Sequence, residues 1–217
     1  MTDNNQNMNS TDEEKQMSQE QKKAQRHKQR QQKVKETVDA KIAAAQEEKG
    51  ILLVLTGNGK GKSTSGFGTI ARSVGHGKKS AVVQFIKGNR ECGERTLLEG
   101  AGVEFHVMGT GFTWETQDKE KDIQAAEITW AAAEALLKDE TVECLMLDEL
   151  TYMVSYHYLE VDRVIEALKN RPPMQHVIIT GRACHRAIIE LADTVSEVQS
   201  IKHAFDNGIK AQVGFDY

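Results

Sequence analysis

The first 49 residues contain no phenylalanine, tyrosine or tryptophan. A segment built instead from Gln, Lys, Glu and Asn cannot close a core of its own. Cysteine is also scarce. Cys92, Cys144 and Cys184 form an odd, widely spaced set, which excludes a disulfide framework and ordinary metal-ligand spacing and points to free thiols in a reducing compartment. The two prolines are adjacent, Pro172 and Pro173, and are expected to stop the helix that precedes them. No apolar run approaches the roughly 18 residues that span a bilayer, and the polar start has no signal-like apolar region. A net charge of −4 gives no broad attraction to nucleic acid or to an anionic membrane. The expectation is a soluble cytoplasmic protein with neither nucleic acid nor membrane as a partner.

What is present divides near Gly50. Residues 1–27 read as a disordered polar tail. Within 28–48, Val34, Val38, Ile42 and Ala45 recur at near-helical spacing, giving a narrow apolar stripe that suits a lid or arm. From residue 50 to 217 apolar runs alternate with helical stretches. Strands are expected at 51–55, 81–86, 103–107, 144–147, 177–180 and 194–198. Helices are expected from the Gly-rich loop to Gly75, over 116–137 with Ile123, Ala126, Trp130, Ala133 and Leu137 on one face, and over 159–169. Gly66 and Gly68 inside the first of these suggest close packing on the sheet. The pattern predicts an α/β, three-layer, phosphate-loop nucleotide-binding fold with a mostly parallel six-stranded sheet.

The loop itself is Thr56-Gly57-Asn58-Gly59-Lys60-Gly61-Lys62-Ser63-Thr64. Glycines let successive N–H groups face one concavity, the new helix adds its positive end, and Lys62 and Ser63 supply an ammonium and a hydroxyl for Mg²⁺. The triphosphate of ATP is therefore expected on Gly57, Asn58, Gly59, Lys60, Gly61, Lys62, Ser63 and Thr64. Three residues separate Gly57 from Gly61, where the common loop has four, so this loop is contracted. The run Cys144-Leu145-Met146-Leu147 ends in Asp148-Glu149, placing a metal-directed carboxylate at the sheet edge; which acid ligates Mg²⁺ is open.

These residues leave hydrolase, kinase and other transferases open. The loop together with Gln84-Phe85-Ile86-Lys87-Gly88, Gly109-Thr110-Gly111-Phe112-Thr113-Trp114, Leu147-Asp148-Glu149-Leu150-Thr151 and Ile179-Thr180-Gly181-Arg182 resembles the ATP:corrinoid adenosyltransferase family. The likeness runs from about Gln29 to Tyr217, and the contracted loop is a trait of that family. It implies transfer of the 5′-deoxyadenosyl group of ATP to the Co(I) centre of a corrinoid (cobalamin, cobinamide or cobyrinic acid diamide), with release of triphosphate. Co(I) is itself a strong nucleophile, so no histidine, serine or cysteine base is required. Lys62 and Glu149 are the expected catalytic residues, with Ser63, Glu149 and Asp148 around Mg²⁺. The resemblance also places Phe112 and Trp114 at the corrinoid, and implies reduced flavodoxin as electron donor and a homodimer.

Arg182 reads equally as a phosphate contact or a structural ion-pair partner, and His203 and Asp206 lie in a polar C-terminal stretch without an assigned role. Three rivals make different products. A phosphate-loop ATPase releases orthophosphate, a small-molecule kinase releases ADP, and an RNA-binding reading of the basic N-terminal segment predicts affinity that falls steeply with salt.

Overall fold

Six short apolar runs form the strands, and the computed structural model describes them within residues 19–86, 92–109 and 119–216. They are β1 (Leu52–Thr56), β2 (Ser80–Gln84), β3 (Glu104–Val107), β4 (Cys144–Asp148), β5 (His176–Thr180) and β6 (Thr194–Glu197). Every pairing is parallel, in the order β3-β2-β4-β5-β1-β6. Parallel strands covered on both faces need no polar alternation, and accordingly β2 and β4 are buried at all five positions.

The chain divides into two compact units between Glu48 and Lys49. Among the described residues the first contains one helix, α1 (Gln19–Ala44), which takes in most of the expected 28–48 segment and part of the expected tail. Its Gln, Lys, Arg, Ala and Glu residues are good helix formers, with no glycine or proline to interrupt them. Gln32 and Glu36 add a bond at i,i+4 spacing, 2.9 Å. Val34, Val38 and Ile42 stand exposed along one stripe.

Among the described residues of the second unit the helices are α2 (Lys62–Gly75), α3 (Gly93–Gly100), α4 (Lys119–Lys138), α5 (Leu150–Ser155), α6 (Val161–Lys169) and α7 (Arg186–Leu191), with a 3₁₀ turn at Phe205–Asn207. α2 ends at Gly75, as its sequence predicts. Gly66 lets it approach the sheet: a Cβ there would lie 2.6 Å from Met146 Cε. Gly68 does not share that role, because it faces open space. The two sheet faces carry separate cores. One gathers Phe85, Trp130, Leu137, Leu147 and Ile179; the other gathers Phe67, Ile70, Val82, Met146 and Ile178.

Trp130 on α4 is fully buried and lies beside Phe85, ring centroids 6.5 Å apart. Deleting so large a buried ring leaves a cavity that close-packed strands cannot fill. Trp130→Ala is expected to cost about 3–5 kcal/mol, read as a lowered denaturation midpoint in urea. A change below about 1 kcal/mol would mean that the helix face does not pack as described.

Candidate active site

The loop between β1 and α2 is shaped by glycine. Gly57 and Gly61 have φ of 99° and 116°, a region costly for residues with a Cβ. Gly59 is needed for another reason: a Cβ there would lie 2.6 Å from the Gln199 carbonyl oxygen. The residues following β6 clamp the loop from the side. Gly59 N–H donates to the Val198 carbonyl at 2.7 Å, and Val198 N–H donates back to the Thr56 carbonyl at 2.8 Å. Lys62 curls over the loop and donates to the Gly59 carbonyl at 2.9 Å. Ser63 follows in the first turn of α2, half-buried, while Asn58 and Thr64 are exposed.

Two strands away, β4 ends in the acid pair, and the two acids have unlike surroundings. Asp148 is fully buried. Its Oδ2 accepts from Gln84 Nε2 at 3.0 Å and its Oδ1 from Thr180 Oγ1 at 2.7 Å. Glu149 is half-buried and left-handed, φ 62° and ψ 19°. Such a backbone costs a non-glycine residue about 1 kcal/mol or more. Its N–H donates to Thr180 Oγ1 at 2.9 Å, and its carboxylate lies by Gly181, where an added Cβ would come within 3.2 Å of Oε2.

The charges converge on one edge. Burial lowers the Lys62 pKa from the ordinary lysine value, Glu149 and Asp148 oppose that shift, and Arg182 reinforces it. Lys62, Asp148, Glu149 and Arg182 thus share one electrostatic neighbourhood at the C-terminal edge of the parallel sheet, where open α/β folds bind ligands. The oxygen donors of Ser63, Asp148 and Glu149 suit Mg²⁺, which takes one or two carboxylates and fills its remaining positions with phosphate and water. Among the described residues no group of three or more His, Cys, Asp or Glu side chains offers a softer metal site. Burial pushes the Cys144 and Cys184 thiols up to about 11, so neither provides a thiolate near neutral pH.

Lys60 is exposed but not without partners. It pairs with Asp216 Oδ1 at 2.7 Å and stands 5.7 Å from the Phe215 ring centroid. Arg182 is exposed, and its backbone carbonyl accepts from Thr151 Oγ1 at 2.7 Å. His203 is engaged locally, its Nδ1 accepting from Phe205 N–H at 3.2 Å. Phe112 and Trp114 lie outside the described residues. Gln84 and Thr180 are the site residues for which sequence reasoning assigned no role. Their signal was available: β2, β4 and β5 are apolar strands that each end in one polar residue, Gln84, Asp148 and Thr180.

With the geometry in place, comparison with known proteins is specific. Residues 48–217 match the family model described as ATP:corrinoid adenosyltransferase BtuR/CobO/CobP. The chain is 60% identical over 184 residues to a corrinoid adenosyltransferase of Escherichia coli, covering 85% of this chain and 94% of that one. It is 61% identical to the corrinoid adenosyltransferase CobA of Salmonella typhimurium, with the same coverage. A corrinoid adenosyltransferase of Pseudomonas aeruginosa is 52% identical over 185 residues, 84% of this chain and 91% of the relative. Among the described residues no helix is long and apolar enough to cross a membrane.

Gly181 provides a direct check on the edge. It sits at φ 136°, and a Cβ would collide with Thr151 Oγ1. Gly181→Ala should destabilise the protein by about 1–3 kcal/mol in thermal unfolding. Thr151→Ala in the same chain should recover part of that loss, leaving the backbone strain. Full independence of the two substitutions would contradict the contact.

Proposed function

The chain belongs to the ATP:corrinoid adenosyltransferase family, and on that footing we propose how its residues carry out the ATP-dependent adenosylation of a corrinoid. The observation that carries the proposal is the meeting of Lys62 with the Asp148-Glu149 pair at one sheet edge, beside a loop whose contraction departs from the usual phosphate cradle. The corrinoid is a substrate, and its Co(I) is the nucleophile. The Co–C bond forms as the C5′–O bond breaks, and the electron pair leaves with the triphosphate.

In this reading the protein serves the leaving group. Loop N–H groups and Lys62 hold the polyphosphate and stabilise the charge that grows on it. Gly57, Asn58, Gly59, Lys60, Gly61, Lys62, Ser63 and Thr64 form the ATP site. Ser63 and Glu149, with Asp148 behind, would hold Mg²⁺, which when bound would supply further positive charge to the polyphosphate. Occupancy by ATP restores negative charge around Lys62 and favours its ammonium form, which burial alone disfavours. Lys60 exchanges Asp216 for phosphate as ATP arrives. Phe112 and Trp114 lie two residues apart, so on an extended segment they face one way; against the lower face of the corrin they displace the axial ligand and ease reduction of Co(II). Reduced flavodoxin supplies the electron, and the enzyme works as a homodimer.

Lys62→Ala should lower turnover by at least about 100-fold, the scale for losing one leaving-group donor, with an unchanged circular dichroism spectrum. Near-normal turnover would remove the phosphate-loop role. For the corrinoid side, Phe112→Ala and Trp114→Ala are expected to impair adenosylation from Co(II) with a protein reductant far more than from pre-reduced Co(I). Equal losses by both routes would place these aromatics in general binding rather than in reduction.

A further inference from the structure

We propose that Thr180 is a positioning residue for the reaction, its hydroxyl fixing the Glu149 backbone against the buried Asp148 carboxylate so that the Glu149 side chain faces the polyphosphate. The proposal rests on the reading that Glu149 meets the metal of Mg-ATP.

Strand order makes the arrangement possible. β2, β4 and β5 are neighbours in the sheet, and Gln84 is in register with Asp148. Leu147 is in register with Ile179, so Thr180 falls beside Asp148 on the other side. Gln84, Asp148 and Thr180 are all essentially without exposed surface. The direction of each bond follows from the chemistry of the groups. An ionised carboxylate only accepts, so the Gln84 amide and the Thr180 hydroxyl must both donate to it. The hydroxyl has one proton, spent on Asp148, and its lone pair takes the Glu149 N–H. Exchange of these roles is impossible because a backbone N–H cannot accept.

The consequence is a division of labour between adjacent acids. Asp148 has both oxygens turned to buried donors on the flanking strands. Glu149 is held left-handed by the bond to Thr180, immediately before α5 begins. Gly181 gives its carboxylate room. A second stitch, Thr151 Oγ1 to the Arg182 carbonyl at 2.7 Å, fastens the start of α5 to the loop after β5. The placement of the Glu149 carboxylate is thus set from β5 as much as from β4.

The test compares Thr180→Val, which keeps the shape and loses the hydroxyl, with Thr180→Ser, which keeps the hydroxyl, and with Glu149→Gln. ATP affinity is titrated against Mg²⁺ concentration without corrinoid, alongside kcat, KM and the melting temperature. Thr180→Val should raise the Mg²⁺ needed for half-maximal ATP binding and lower kcat, each by about 10-fold, the lower end for residues that orient metal ligands. Thr180→Ser should stay within about twofold of the parent protein by the same comparison. In the unsubstituted protein the Glu149 amide should exchange slowly with solvent before any ligand is added, a readout that does not depend on any variant folding. The proposal is overturned if Thr180→Val keeps the parent Mg²⁺ requirement while Glu149→Gln shifts it, if Thr180→Ser is as impaired as Thr180→Val, or if the Glu149 amide exchanges freely. An unchanged Mg²⁺ requirement in Glu149→Gln would instead overturn the underlying reading of Glu149, and the role of Thr180 with it.

Discussion

Asp148 is a carboxylate without exposed surface at the end of an apolar strand, and a charge in such a place persists only where hydrogen-bond donors replace water. Much of the site follows from meeting that demand. Gln84 from β2 and Thr180 from β5 supply donors on either side, which links the ends of three adjacent strands. Once Thr180 has given its proton to Asp148, its oxygen is available to the Glu149 amide. One buried charge thereby organises the neighbouring residue, the turn into α5, and the glycine opposite.

The glycine-rich loop after β1 is supported from the other side of the sheet. β1 lies between β5 and β6, and the bond from Gly59 to the Val198 carbonyl ties the loop to the segment after β6. Lys60 is tied to the far C-terminal segment through Asp216. The contracted loop is thus tied at two points to segments outside it. The chemistry of the family is consistent with this economy, since cobalt brings its own nucleophilic power and the protein's work lies in positioning ATP and accepting a highly charged leaving group.

Much of this was legible in the sequence because the signals were local. The apolar runs before Gly57 and Asp148, the glycine spacing, and the 3.6-residue face carrying Ile123, Ala126, Trp130, Ala133 and Leu137 each depend on neighbours in the chain; the last four are buried as expected, while Ile123, in the first turns of the helix, is only half-buried. The short helices α5 and α7, six residues each, carry too few turns for a period to show. Gly68 resembled Gly66 in sequence and differs from it only in which way the helix faces. The unequal roles of Asp148 and Glu149 depend on which strands flank β4. That order, with β2 on one side and β5 on the other, is a property of topology that no single segment states, so Gln84 and Thr180 could be quoted as motif residues without their purpose being seen.

The central claim is that bond breaking occurs at carbon and the polyphosphate leaves whole. Phosphorus NMR of the products formed from Mg-ATP and a chemically reduced Co(I) corrinoid addresses it most directly. The account predicts inorganic triphosphate in a one-to-one ratio with newly formed cobalt–carbon bonds. Orthophosphate or ADP as the primary product would contradict it and return the loop to an ordinary phosphoryl-transfer role.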